Sequence, residues 1–72
     1  MTNTRLLNEV IQKSGLKKRY LAEKMGLSPY GLTLKINNDS RFYVDEVMTL
    51  CRLLNITSLT EKDKIFFSET DH

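Results

Sequence analysis

Few of the residues that usually mark a chemical site are present in this 72-residue chain. It has one cysteine, one histidine, one proline, three glycines and no tryptophan. A single cysteine excludes an internal disulfide, so the fold must hold without a covalent staple. Cys51 sits in a helical apolar pattern and reads as a small buried hydrophobe. His72 is in the polar tail, far from any companion ligand. There is no nucleophile–base spacing, no metal-ligand cluster and no glycine-rich phosphate loop. Asp45 and Glu46 are adjacent, so on a helix they diverge by about 100° rather than converge on a substrate. No catalysis, cofactor, metal or small-molecule substrate is expected. Long apolar runs are also missing, and a bilayer span needs roughly 20 such residues. The first residues lead straight into an amphipathic pattern without the apolar core of a signal peptide. The expected location is the cytoplasm, with no membrane partner.

The remaining composition is that of a small globule, 40% hydrophobic and 28% charged. The length suits one domain, residues 1–72, with a modest core. The net charge of +2 hides an asymmetry. Residues 1–36 carry seven basic side chains against two acidic, net +5, and residues 37–72 carry four against seven, net −3. A basic half fits a polyanion or an acidic protein surface.

Hydrophobic periodicity predicts an all-α fold of five helices, at about 4–14, 17–25, 28–36, 44–54 and 61–68. Leu6, Leu7, Val10 and Ile11 form the first stripe, with Asn3 as its cap and Gly15 as its stop. Tyr20, Leu21 and Met25 give the second helix a narrow apolar face, with Ala22 as its small packing residue. Ser28-Pro29 starts the third, because serine caps an orphan N–H and proline at the first position lacks one. Leu32 and Ile36 face inward, and Asn37-Asn38 can close the helix in left-handed geometry. Phe42 reads as an apolar plug in the 37–43 connection. In the fourth helix Asp45 and Glu46 complement the dipole, and Val47, Leu50, Cys51 and Leu54 face in. Asn55 is its left-handed cap. Thr60-Glu61-Lys62-Asp63 resembles a capping box for the fifth. Phe66, Phe67, Tyr43 and Met48 are read as closing the core, with a dimer patch as the alternative use.

The stretch from Tyr20 to Ser28 carries the most information. Ala22 lets two helices approach, Gly26 turns the chain, Leu27 plugs the corner and a capped helix starts at once. This is helix-turn-helix spacing, with the third helix as the presented one.

From these residues the chain is identified as a member of the phage repressor and Cro superfamily of helix-turn-helix regulators, and Leu16 to Asn55 covers that family's four-helix core. More narrowly, Asn37-Asn38-Asp39-Ser40-Arg41-Phe42, Leu50-Cys51-Arg52-Leu53-Leu54-Asn55 and Lys64-Ile65-Phe66-Phe67 resemble the Cro-like modulators of repression, or antirepressors, of lactococcal temperate phages. The resemblance implies a compact lambda-repressor-like domain in a lysis–lysogeny switch. Such a regulator opposes the lysogeny repressor and favours lytic growth, by binding operator DNA or the repressor itself. An antitoxin, a third class built on this domain, often carries a separate toxin-binding extension, and only a five-residue tail follows the fifth helix here.

In the family the third helix enters the major groove. The corresponding positions are Ser28, Pro29, Tyr30, Thr33 and Leu34. None is Arg, Lys, Asn, Gln, Glu or Asp, the types whose donors and acceptors match base edges. Gly31 weakens this helix further, by about 1 kcal/mol relative to alanine. Lys18 stands where the family often places a phosphate-holding glutamine. With Lys17, Arg19 and Lys35 it forms the expected set of DNA-phosphate contacts. An apolar presented helix points to a protein interface, with the DNA-binding domain of the cognate repressor as partner. Double-stranded operator DNA stays open as the alternative.

Overall fold

Local backbone chemistry sets where each helix starts and stops. The computed structural model describes residues 1–69. They hold α1 (Thr4–Ser14), α2 (Lys18–Met25), α3 (Pro29–Ile36), α4 (Val44–Leu53) and α5 (Leu59–Phe66), with no strand among the described residues. The Asn3 side chain accepts the Leu6 N–H at 3.1 Å and starts α1. Gly15 ends it in the left-handed region, at φ 75°. Ser28 Oγ accepts the Gly31 N–H at 2.9 Å, and Pro29 occupies the first position of α3. Asn38 and Asn55 take positive φ, 65° and 58°, and turn the chain after α3 and α4. Asparagine tolerates that region better than most residues.

One start differs from expectation. The fifth helix begins at Leu59 because Ser58 caps it, accepting the Glu61 N–H at 3.3 Å. Ser58 and Glu61 have the three-residue spacing of a capping box, and they lie two residues ahead of the Thr60 box read from the sequence. Thr60 is therefore already inside the helix.

Each helix contributes to one apolar cluster. Leu7 and Ile11 come from α1, Leu21 and Ala22 from α2, Leu32 and Ile36 from α3. Val47, Leu50 and Cys51 come from α4, and Ile65 and Phe66 from α5. Leu54 and Ile56, on either side of the turn at Asn55, complete it. Burying a leucine completely contributes roughly 1.5–3 kcal/mol, so six fully buried large aliphatic side chains dominate the favourable energy. Phe42 meets Phe66 edge-on, with centroids 5.5 Å apart, and so plugs the loop as expected. Three other aromatic or thioether expectations fail. Phe67, Tyr43 and Met48 are exposed; only Phe66 of that group closes the core. Tyr20 is also more exposed than its place on the α2 face implied, and Lys24 Nζ lies 5.7 Å from its ring centroid.

The N-terminal segment crosses between the ends of two helices. The Asn3 N–H donates to the Ile65 carbonyl at 2.7 Å, and Met1 and Ser68 exchange backbone bonds. Thr4 Oγ1 donates to the Ile36 carbonyl at 2.6 Å. α2 packs on α3 and α4, and α1 packs on α3 and α5. This arrangement leaves the start of α3 uncovered. No helix of the described residues is long and apolar enough to cross a membrane.

Candidate nucleic-acid interface

The α2–α3 corner depends on Gly26. Its φ is 72°, a left-handed value that a Cβ disfavours. That geometry lets Leu27 N–H reach back to the Ala22 carbonyl at 2.8 Å and Gly26 N–H to the Glu23 carbonyl at 3.2 Å. Paired bonds of this kind close a helix and reverse the chain. Leu27 then packs on the core, which fixes the angle at which α3 departs. Ala22, fully buried, is small enough for α2 to lie close on its neighbours.

α3 presents its first turn outward. Ser28, Pro29 and Tyr30 are exposed, Tyr30 by 72%. The polar groups nearest this surface are already engaged within the helix. Ser28 Oγ holds the cap, and Thr33 Oγ1 donates to the Pro29 carbonyl at 3.1 Å. Leu34 is half-buried without joining the apolar cluster, and its carbonyl accepts the Asp39 and Ser40 N–H groups at 2.8 and 3.2 Å. The surface that faces out first is therefore proline and tyrosine.

Lys17, Lys18 and Arg19 are exposed at the start of α2. Lys17 is the N-cap residue there and offers no side-chain cap, and the first turn holds no acidic residue. Three cations stand at the positive end of a helix dipole with no acidic residue in that turn to offset them.

Lys35 does not belong with them. It is only 7% exposed, and its Nζ lies 2.9 Å from Glu46 Oε1. The same ammonium donates to the Arg41 carbonyl at 2.6 Å and sits 4.4 Å from the Tyr43 ring centroid. Glu46, the Arg41 carbonyl and the Tyr43 ring surround the buried ammonium and screen it from a phosphate. Glu46 stands in the first turn of α4, as expected of a dipole partner, but it is also the buried mate of this lysine. It is 9% exposed, and Oε1 also accepts the Tyr43 N–H at 2.8 Å. The sequence did carry a signal for this pair. Lys35 lies between Leu32 and Ile36 on the inward stripe of α3, and Glu46 lies beside Val47 on that of α4. Opposite charges on two inward stripes point to each other.

Burial raises the Cys51 thiol pKa, with Lys62 lowering it and Glu61 raising it by smaller amounts. The described residues hold no group of three or more histidine, cysteine, aspartate or glutamate side chains that could grip a metal ion. His72 lies outside the described residues.

The fold and the exposed corner are those of a helix-turn-helix domain, and comparison with known proteins agrees. No curated protein and no solved structure matches the chain. Residues 6–61, from the first stripe of α1 to the start of α5, match the Cro/C1-type HTH DNA-binding domain, and the chain belongs to that family.

Proposed function

We propose that this protein is an antirepressor of a temperate phage, working in the bacterial cytoplasm as a single helix-turn-helix domain. In this reading it docks the start of α3 on the DNA-binding domain of the lysogeny repressor. Covering the repressor's own presented helix blocks operator binding and favours lytic growth. One observation carries the reading: the outermost surface of α3 is Pro29 and Tyr30, and the one cation on that helix, Lys35, is locked inside. Exposed aromatic anchors are the usual centres of protein interfaces. Base readers need side-chain donors and acceptors, and this surface offers few.

A second reading has its own support. Lys17, Lys18 and Arg19 are exposed at the start of α2, and such cations supply the general attraction to phosphate. The family is one of DNA-binding domains, which supports direct operator binding as a Cro-like transcriptional repressor.

A three-component gel shift separates the two. Repressor domain bound to operator duplex is titrated with this protein. The antirepressor reading expects release of free duplex, with little shift by this protein alone. Tight protection of operator by this protein, with the repressor complex undisturbed, overturns it in favour of the Cro-like reading.

A further inference from the structure

α4 buries one side only. Val47, Leu50 and Cys51 join the core, while Val44, Met48 and Arg52, spaced four residues apart on the other side, are all exposed. Val44 is 73% exposed and Met48 62%. Met48 also lines a shallow groove of about 270 Å³ together with Leu59, which is 71% exposed. The buried side chains of Cys51 and Ile56 line the same groove, and so do Arg52 and Lys62. Val44 and Met48 are neighbours one turn apart, so the apolar surface runs from the start of α4 to the start of α5. A contiguous apolar patch of this kind marks an interaction surface.

The charges around the patch say what covers it. Among the described residues the ion pairs are Arg5–Glu9 and Lys35–Glu46, so Asp45, Arg52 and Lys62 carry unpaired charges. Asp45 and Arg52 are seven residues apart, two helical turns or roughly 10 Å, and lie almost on one line along the helix. Met48 stands between them. A second α4 laid antiparallel on the first, about a two-fold axis beside Met48, sets each Asp45 against the other copy's Arg52. The same operation brings the two Met48 side chains together. A two-fold contact has to be self-complementary in this way. An unrelated partner would need an acid and a cation at the same spacing, whereas a second copy carries both.

We propose that the exposed side of α4 is a homodimer interface, in which two copies pack α4 antiparallel, exchange two Asp45–Arg52 ion pairs and bring each Met48 to the other copy's Met48–Leu59 groove. The interface does not depend on what the start of α3 binds. Its ion pairs fix partner and orientation more than they add affinity. Three large exposed apolar side chains per copy make a small contact, so the dimer is weak.

The test uses the full chain alone, in sedimentation equilibrium from about 10 µM to 1 mM, a range suited to small interfaces. The unaltered protein is expected to pass from monomer to dimer within it, and Met48→Ala to need about tenfold more protein. Asp45→Arg sets like charges at both pairs of a homodimer, and Arg52→Asp does the same, so each variant is expected to stay monomeric. In an equimolar mixture of the two, both pairs are again of opposite sign, and a one-to-one heterodimer is expected at about the unaltered affinity. Circular dichroism checks that each variant is folded. An unaltered protein that is still monomeric at the top of the range overturns the interface and leaves the α4 face to a different chain. Self-association that survives either reversal, or folded variants that do not pair when mixed, overturns it as well. If a reversal unfolds the domain, Met48→Ala decides alone, and undiminished association in that variant overturns the proposal.

Discussion

Asn38 and Thr2, thirty-six residues apart, pair in both directions. Asn38 Oδ1 accepts the Thr2 N–H at 2.9 Å, and Asn38 Nδ2 donates to the Thr2 carbonyl at 2.8 Å. Asn38 does this from a left-handed backbone, φ 65°, so one residue both turns the chain after α3 and latches the N-terminal segment. Replacing it separates the two roles. Asn38→Ala loses both bonds to Thr2, each worth about 1 kcal/mol net, together with a long 3.5 Å one from Nδ2 to Thr4 Oγ1, and strains the backbone by a further 1–2 kcal/mol or so. Asn38→Gly loses only the bonds. Urea unfolding should place alanine about 3 kcal/mol below the unaltered protein, with glycine between them. Equal losses in the two variants would show that the left-handed turn carries no strain.

Breaking the Lys35–Glu46 pair from one side should cost far more than removing it from both. Lys35→Ala leaves a buried carboxylate without its cation, and losses of that kind run to about 3–5 kcal/mol. For a domain of this size, with total stability on the order of 5 kcal/mol, this approaches complete unfolding at room temperature. Circular dichroism at 25 °C checks it. A variant that melts within a degree or two of the unaltered protein would mean that water reaches Glu46 freely.

Gly31 has a close neighbour that explains its presence in an eight-residue helix. A Cβ at that position would stand 3.1 Å from Ser28 Oγ, the cap oxygen that its own N–H reaches. Alanine would otherwise favour the helix by about 1 kcal/mol. Gly31→Ala is therefore expected to be near neutral, because the gain in helix propensity is offset by a displaced cap. In a Ser28→Ala background the obstruction is gone, and the same change should stabilise by about 1 kcal/mol. A double-mutant cycle with no coupling between the two positions would refute the clash.

The pH dependence of stability follows from Cys51. Burial favours the neutral thiol, so the folded state holds its proton to higher pH than the unfolded chain does. Its contribution is fully present below the ordinary thiol pKa of 9.0 and is lost as pH rises through the elevated folded value. Compared with Cys51→Ala, the unaltered protein should lose stability more steeply above pH 9 and run parallel below it. Parallel curves throughout would mean that the thiolate is accommodated in the folded state.

Features governed by neighbours in the chain were legible in the sequence, and features governed by contacts across it were less so. Asn3, Gly15, Ser28 and Gly26 act within four residues of themselves, and each lies where its chemistry placed it. The fifth helix was misplaced at its start although Ser58-x-x-Glu61 was available, because the weaker Thr60 box lay closer to the apolar pair Ile65-Phe66. Lys35 was misassigned for a different reason. A lysine on a short helix reads as solvated unless its stripe is compared with that of a helix not yet placed beside it. The same limit hid the exposure of Tyr43 and Phe67, since apolar residues at helix ends can face either way, and that of Met48, which lies mid-helix beside the inward stripe of Val47, Leu50 and Cys51. At the candidate interface, the exposure of Tyr30 and of the α2 cations agrees with helical phase, and the loss of Lys35 from the phosphate set needed the α3–α4 contact.

Salt dependence gives the sharpest functional prediction, because the α2 cations and the α3 tyrosine respond to it differently. If operator DNA is the ligand, each phosphate contact removed should flatten the plot of log affinity against log salt by about 0.9. Replacing Lys17, Lys18 and Arg19 by glutamine would then reduce the slope by nearly three units, and Tyr30→Ala would leave it unchanged. If the ligand is the repressor domain, the order reverses. The slope is shallow from the outset, the triple replacement changes affinity little at physiological salt, and Tyr30→Ala costs more than about 1 kcal/mol at every salt concentration. Fluorescence anisotropy with labelled duplex and with labelled repressor domain, each from 50 to 300 mM salt or thereabouts, measures both slopes with the same variants. A steep slope with the duplex that vanishes in the triple variant would move the function to DNA, and a shallow one with the repressor domain that survives it would keep the function at the tyrosine.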